Sequence, residues 1–185
     1  MIHNHDRSGW IGASDTYTVM GRWDTKTFEK FWHVKLGLDT SHFETNAMKT
    51  GTAFEHKILD AIGVTRRDRQ IRRRGLRLRV NLDGEDHDTI YEVKTYGKDS
   101  FQISKAYWMQ AQVEMYATGK NLQIVAYRLE AEDYGNWLRP IAPERLSFHP
   151  VEYDGIWVEE KYLPRLRYLA ECLREGRWPR ADLNG

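Results

Sequence analysis

Three consecutive pieces of sequence decide the fold: Leu76-Arg77-Leu78-Arg79-Val80-Asn81-Leu82-Asp83, Gly84-Glu85-Asp86-His87-Asp88, and Thr89-Ile90-Tyr91-Glu92-Val93-Lys94-Thr95. In the first, Leu76, Leu78, Val80 and Leu82 alternate with Arg77, Arg79, Asn81 and Asp83. A period of two assigns the leucines and valine to a core and the polar set to an open face. The second piece is turn chemistry. The third alternates again, with Glu92 and Lys94 on one face and Tyr91 and Val93 on the other. A hairpin is the simplest connection.

Helical patterns lie on both sides of this hairpin. Thr16–Met20 and Thr27–Leu36 read as short helices, the second with Phe28, Phe31, Trp32 and Lys35 at helical spacing. Asn46 to Ile62 reads as a longer helix with Met48, Phe54, Ile58, Leu59 and Ile62 as its apolar positions, stopped by Gly63. Residues 102–118 repeat the pattern through Ile103, Ala106, Tyr107, Gln110, Val113 and Ala117, stopped by Gly119. Leu122–Leu129 reads as a third strand. Residues 130–153, with Pro140, Pro143 and Pro150, read as irregular. Asp154 is placed to cap a last helix running to about Glu175, broken or kinked at Pro164. The expected fold is α/β, a mixed central sheet flanked by helices, in a single domain over residues 1–185.

Composition narrows the class. The 185 residues are 41% hydrophobic and 30% charged, with no low-complexity stretch, which argues against bulk disorder, collagen and coiled coil. No run of about 18 apolar residues offers a membrane span. The segment Met1–Arg7 has no apolar region of a secretory signal, and one cysteine, Cys172, excludes an internal disulfide and any four-cysteine zinc or iron–sulfur site. A reducing, cytoplasmic setting is expected. Net charge is only +1, but residues 65–79 hold eight Arg against one Asp. Such a band suits a polyanion at one face, and equally a solvated face whose Arg stems cover apolar surface. Arg72, Arg73, Arg74, Arg77 and Arg79 are its candidate nucleic-acid contacts. Trp10, Trp23, Trp32 and Trp108 read mostly as core. His33, His42 and His56 show no ligand spacing and read as surface or structural, as does the His3, His5, Asp6 group.

If the two hairpin strands pair, Asp83, Glu92 and Lys94 converge. Two carboxylates this close repel, so they hold a proton or bind a cation, and hard oxygen donors with open positions select Mg²⁺ or Mn²⁺. Such a cation would activate water against a phosphodiester, with Lys94 orienting it or stabilising the developing charge. An exposed salt-bridge ladder is the plainer reading of the same string. Its context adds a helical carboxylate upstream, Gly51-x-x-x-Glu55, and Gln110-Ala111-Gln112 on a helix downstream.

That order resembles the PD-(D/E)xK nuclease superfamily, and in detail the phage lambda exonuclease and YqaJ-type viral recombinase family. The matching blocks are Arg7-x-x-x-Ile11-Gly12-Ala13-Ser14-Asp15; Met48-x-x-Gly51-x-x-x-Glu55; Asp83-Gly84 with Glu92-Val93-Lys94-Thr95; and Tyr107-Trp108-Met109-Gln110-Ala111-Gln112-x-x-Met115 followed by Thr118-Gly119. The resemblance implies a restriction-endonuclease-like core and a Mg²⁺-dependent deoxyribonuclease, a 5′-to-3′ exonuclease on duplex DNA ends, with Mn²⁺ able to substitute. It implies Asp83, Glu92 and the Val93 carbonyl as metal ligands, Glu55 completing the cluster directly or through water, Lys94 positioning the attacking water and Gln110 beside it. It implies Arg7 and Ser14 at the 5′-terminal phosphate. Further implications are a single-strand annealing recombinase as partner, a ring trimer, and work in the cytoplasm of a bacterial host of a phage or prophage. The block Leu82-Asp83-Gly84 lacks the Ser-Pro that often precedes the aspartate, so Asp86 and Asp88 stay rival ligands. An endonuclease of the same superfamily and an inactive DNA-binding adaptor are the alternatives.

Overall fold

A computed structural model describes residues 7–39, 45–97 and 99–180. His3, His5, Asp6 and His42 lie outside the described residues. In chain order the elements are β1 (Ile11–Gly12), α1 (Thr16–Met20), α2 (Lys26–Lys35), α3 (Asn46–Ala61), β2 (Arg66–Arg73), β3 (Leu78–Glu85) and β4 (Thr89–Tyr96). Then come α4 (Lys105–Thr118), β5 (Asn121–Arg128), β6 (Leu146–Val151), α5 (Gly155–Trp157) and α6 (Leu163–Glu175). The six strands form one mixed sheet in the order β1-β3-β4-β5-β6, with β2 also paired to β3. This is the expected α/β architecture, a mixed central sheet flanked by helices. No helix among the described residues is long and apolar enough to cross a membrane.

The larger core packs α1, α2, α4 and α6 against the sheet through Val19, Phe28, Trp32, Val113 and Leu166 on Leu78, Val80, Ile90 and Ile124. The smaller core sets α3 against the sheet through Phe54, Ile58 and Leu59 on Val93, Val125 and Tyr127. Strand β4 pairs in parallel with β5 over eight positions, Thr89↔Asn121 to Tyr96↔Arg128. A parallel pair needs a crossover, and α4 supplies it.

The central hairpin is present but opens early. Strands β3 and β4 pair only at Gly84↔Tyr91 and Glu85↔Ile90. At its other end β3 takes β1 in parallel, at Ile11↔Leu78 and Gly12↔Arg79. Between these contacts the strands splay, and the Val93 amide donates to the Asp83 carboxylate at 2.8 Å instead of to a strand carbonyl. A buried amide needs an acceptor, so this bond completes the ladder with a side chain.

Several sequence expectations are corrected. The Arg-rich stretch contains a strand, β2, antiparallel to β3 from Arg66↔Glu85 to Arg73↔Leu78. Its charged residues carry no apolar alternation, and on an outer strand such charge discourages pairing with another chain. The strand expected from Leu76 starts at Leu78, because Leu76 lies in a 3₁₀ turn and Arg77 turns left-handed at φ 48°. Arg79, assigned to an open face, is buried, and Glu85, read as turn, is a buried strand residue. Arg69, Lys120 and Arg66 surround Glu85 at 2.5, 2.6 and 3.3 Å. Burial opposes its charge, but hydrogen bonds from Lys120 and Arg69 hold its carboxyl below the usual glutamate range. Met48 is exposed rather than core. Strand β6 lies within the segment read as irregular, with Pro150 tolerated because β6 borders only β5. Asp154 caps its helix as expected, through Trp157 N, but a π turn at Val158–Tyr162 precedes α6, whose first turn holds Pro164.

Gly84 lies where the sheet packs tightly against α3 and against Val64, which follows the end of that helix. A Cβ there would sit 2.7 Å from Leu59 Cδ2 and 2.9 Å from Val64 Cγ1. Gly84→Ala is therefore expected to destabilise the fold by about 1–3 kcal/mol through overpacking, read by urea denaturation. An unchanged midpoint would contradict the packing described.

Candidate active site

The splay of β3 from β4 creates the site. Helix α3 approaches the sheet closely because Gly51 lacks a Cβ, which would lie 3.1 Å from Thr95 Oγ1. That approach brings Glu55 to the acidic residues of the sheet. Helix α4 is fixed from below: Gln112 donates to Glu152 O at 2.8 Å and accepts from Asp154 N at 2.7 Å. Gln110, two positions earlier, thereby stands beside β4.

The expected residues come together. Lys94 Nζ lies 2.5 Å from Glu92 Oε1 and 4.9 Å from the centre of the Tyr107 ring. Gln110 Nε2 donates to Glu92 Oε1 at 2.6 Å and to Glu114 Oε1 at 2.8 Å. Asp83 is fixed by Val93 N, as described above. Asp86 and Asp88, the rival ligands, are turn residues: Asp86 accepts from Asp88 N, Thr89 N and Tyr91 Oη at 3.0, 2.8 and 2.7 Å.

Glu114 was missed from the sequence. It is fully buried, and it sits four residues after Gln110 and seven after Tyr107, on the same helical row. A carboxylate on that row was the available signal.

The electrostatics are those of an acidic pocket crowded around one lysine. Burial and then the Glu92 charge push the Asp83 carboxyl well above its ordinary value, with Glu55 adding to the effect. Burial and Glu92 push Glu114 the same way. Glu55 is pushed up to about 7 by burial, Glu92 and Asp68. Burial opposes the charge of Lys94, but Glu92 and Asp83 outweigh it and hold the ammonium above the usual lysine value. The Oε2 atoms of Glu92 and Glu114 are buried without a hydrogen-bond partner among the described residues. Orphaned, oxygen-only donors beside raised carboxyl groups fit a hard divalent cation. Asp83 and Glu92 would hold it, with the Val93 carbonyl and Glu55 next to them.

These shifts set a pH dependence. Each raised carboxyl binds a proton in the folded chain at pH values where the unfolded chain has released it. Without a divalent cation, stability therefore falls as pH rises from about 4.5 through about 7. Glu55 alone accounts for on the order of 3 kcal/mol of that fall. Urea denaturation in EDTA at pH 5 and pH 8 measures it, and Mg²⁺ is expected to restore most of the loss at pH 8. Stability in EDTA that rises with pH over this range would contradict the site's electrostatics.

A cleft of about 310 Å³ adjoins the carboxylates, and its lining includes Arg7, Ser14, Lys35, Arg79, Asn81 and Glu114. Lys35 is buried at 2% exposure and lies 2.5 Å from Asp15 Oδ2, while Arg7 also pairs with Asp15. Asp15 accepts from Gly12 N at 2.7 Å as well. The Ser-Asp block is thus a buried anchor that carries two cations to the mouth of the acidic pocket. The Arg-rich band divides. Arg79 joins this cleft, while Arg72, Arg73 and Arg74 are exposed. Arg72 lies over the Trp10 ring at 5.5 Å, and Arg73 donates to Ala117 O at 2.9 Å. Arg77 is half-buried at its left-handed corner.

No protein-family model and no curated protein sequence matches the chain. Among solved structures the fold is similar to that of an alkaline exonuclease (LHK-Exo) from Laribacter hongkongensis. The TM-score is 0.61 at 18% identity, over 90% of this chain and 92% of that one. A structure described as SSO0001 aligns at a TM-score of 0.48 and 12% identity, over 90% of this chain and 76% of that one. The first likeness establishes a shared fold along nearly the whole of both chains.

Proposed function

We propose that the chain is a Mg²⁺-dependent deoxyribonuclease that hydrolyses phosphodiester bonds, acting as a 5′-to-3′ exonuclease on duplex DNA ends. The observation that carries the reading is the convergence of Asp83, Glu92, Lys94 and Gln110 in the gap between two splayed strands, with a basic cleft alongside. The exonuclease fold and the sequence blocks point the same way. A bound Mg²⁺ would supply a water of lowered pKa and offset the charge of the phosphodiester.

The chain's own residues do the rest. Lys94 is an ammonium at neutral pH, so it donates hydrogen bonds to the attacking water or to the developing phosphorane charge and does not take up a proton. Gln110 fixes the Glu92 carboxylate through its amide and keeps the partly buried oxygens aimed into the gap. Arg7 and Ser14 would grip a terminal phosphate, an Arg fork and a hydroxyl being suited to it, and Lys35 and Arg79 add positive charge behind them. Exposed Arg72, Arg73 and Arg74 would follow the phosphate backbone, each contact steepening the salt dependence. By the same resemblance the product single strand would pass to an annealing recombinase, and a ring trimer would encircle the duplex.

Digestion of end-labelled linear duplex and of closed circular duplex, with Mg²⁺ or EDTA, tests the reading. Release of label from linear DNA only, faster from 5′-phosphate than from 5′-hydroxyl ends, is expected. Arg7→Ala should remove that preference. Cutting of the closed circle would replace the exonuclease by an endonuclease, and DNA binding with no Mg²⁺-dependent cleavage would overturn the enzyme reading.

A further inference from the structure

One cluster beside the acidic pocket shares Glu55 with it and adds two residues, His56 and Asp68, that the proposed reaction does not use. Glu55 and His56 of α3 and Asp68 of β2 each present a ligand atom, and these three atoms all lie within 4.8 Å of one another. His56, read from sequence as surface or structural, stands among two carboxylates, its α3 neighbour Glu55 and Asp68, which β2 brings to α3 only through tertiary folding.

Three observations point to an ion. First, His56 Nε2 is buried and makes no hydrogen bond of acceptable geometry, although Asp68 Oδ2 stands 2.9 Å away. A ring nitrogen this close to a carboxylate, yet off the hydrogen-bonding direction, has room for a shared cation. Second, the spacing is that of two ligands on one ion: donors bound at about 2.0–2.2 Å lie about 3 Å apart when they subtend a right angle. Third, Asp68 adopts φ 54°, the only acidic residue with positive φ among those described. It lies opposite Asp83, between the Arg67↔Gly84 and Arg69↔Leu82 pairs. Aspartate tolerates that left-handed backbone, and here it turns one carboxylate of an otherwise Arg-rich strand toward His56 of α3.

We infer that Glu55, His56 and Asp68 form a second cation site, selective for a transition-type divalent ion such as Zn²⁺ over Mg²⁺. The imidazole sets the selectivity, because nitrogen donors suit Zn²⁺ while Mg²⁺ keeps to oxygen and water. Three protein ligands leave further positions open for water or a phosphate oxygen. Glu55 belongs to both clusters, so the second ion would sit at the edge of the first site and offset charge that Asp68 and Glu55 impose on it. The inference stands on its own ligand geometry and does not need the nuclease reading.

The test is Zn²⁺ binding to the full chain by calorimetry in saturating Mg²⁺, which occupies the oxygen-only site. The wild type is expected to take up Zn²⁺, and His56→Asn and Asp68→Asn each to weaken that binding by about tenfold or more. Asn accepts the left-handed backbone of position 68, so the second variant keeps the fold, and thermal melts confirm it for both. Glu92→Gln should leave the affinity for Zn²⁺ within that factor. No Zn²⁺ uptake by the wild type, or a smaller loss in the two variants, would overturn the site. Mg²⁺-dependent DNA cleavage measured in parallel separates the two readings: cleavage can fail while His56-dependent Zn²⁺ binding persists, and the converse.

Discussion

Replacing Asp83 by Asn is expected to abolish divalent-dependent DNA cleavage, by about 10³-fold, while making the cation-free protein more stable at pH 8. The two effects have one cause. Asp83 is held well above its ordinary carboxyl value by burial, Glu92 and Glu55, so ionising it at pH 8 works against the fold. An amide removes that charge and keeps an oxygen to accept from Val93 N. A gain on the order of 1–2 kcal/mol is expected in EDTA. With Mg²⁺ the order reverses, because only the wild type gains from binding the ion. Urea denaturation with EDTA and with Mg²⁺ reads both arms. A variant less stable than wild type in EDTA would mean that Asp83 serves the fold rather than strains it.

The second large effect concerns Asp15. This carboxylate is 6% exposed and is the anion for Lys35, itself 2% exposed. Burial lowers the Lys35 pKa, and Asp15 is what offsets that cost. Asp15→Ala leaves an ammonium buried without its partner and frees the Gly12 amide and Arg7, at about 3–5 kcal/mol. Adding Lys35→Met should recover most of the loss, because an apolar pair of similar volume removes the uncompensated charge. A single variant within 1 kcal/mol of wild type, on that approximate scale, would show the pair to be solvent-screened and the cleft floor to be differently built. Both variants are also expected to lose the preference for 5′-phosphate ends, since Arg7 is aimed by Asp15.

What was legible in the sequence is explained by how each signal arises. The alternation of Leu78, Val80 and Leu82 against Arg79, Asn81 and Asp83 arises because the first set faces the larger core and the second faces the site and its cleft, and it marked β3 directly. The same logic marked β4 and hence the meeting of Asp83, Glu92 and Lys94. Strand β2 was not legible, because its pairing partner, not its own apolar pattern, makes it a strand: Ile71 is the single apolar residue in Arg66–Arg73. The short β1 carries too few residues for any period, and β6 ends beside a proline. Glu114 was hidden because Met109–Met115 alternates apolar and polar residues, which gives its buried position no apolar signature, although its spacing from Gln110 placed it on the site-facing row. The cluster of Glu55, His56 and Asp68 was out of reach, because two separate elements and one left-handed residue build it. The early opening of the hairpin was equally hidden; it is a property of β1 and β4 sharing one edge of β3.

The central claim is that the carboxylates gathered between β3 and β4 hold a divalent cation whose chemistry Lys94 assists. The most direct measurement is the rate of Mg²⁺-dependent digestion of 5′-phosphorylated linear duplex by the wild type and by Lys94→Ala, with circular dichroism melts confirming that both are folded. The account predicts digestion by the wild type that EDTA stops, and a loss of at least about 10²-fold in the variant. A folded Lys94→Ala protein that digests DNA at the wild-type rate would contradict it.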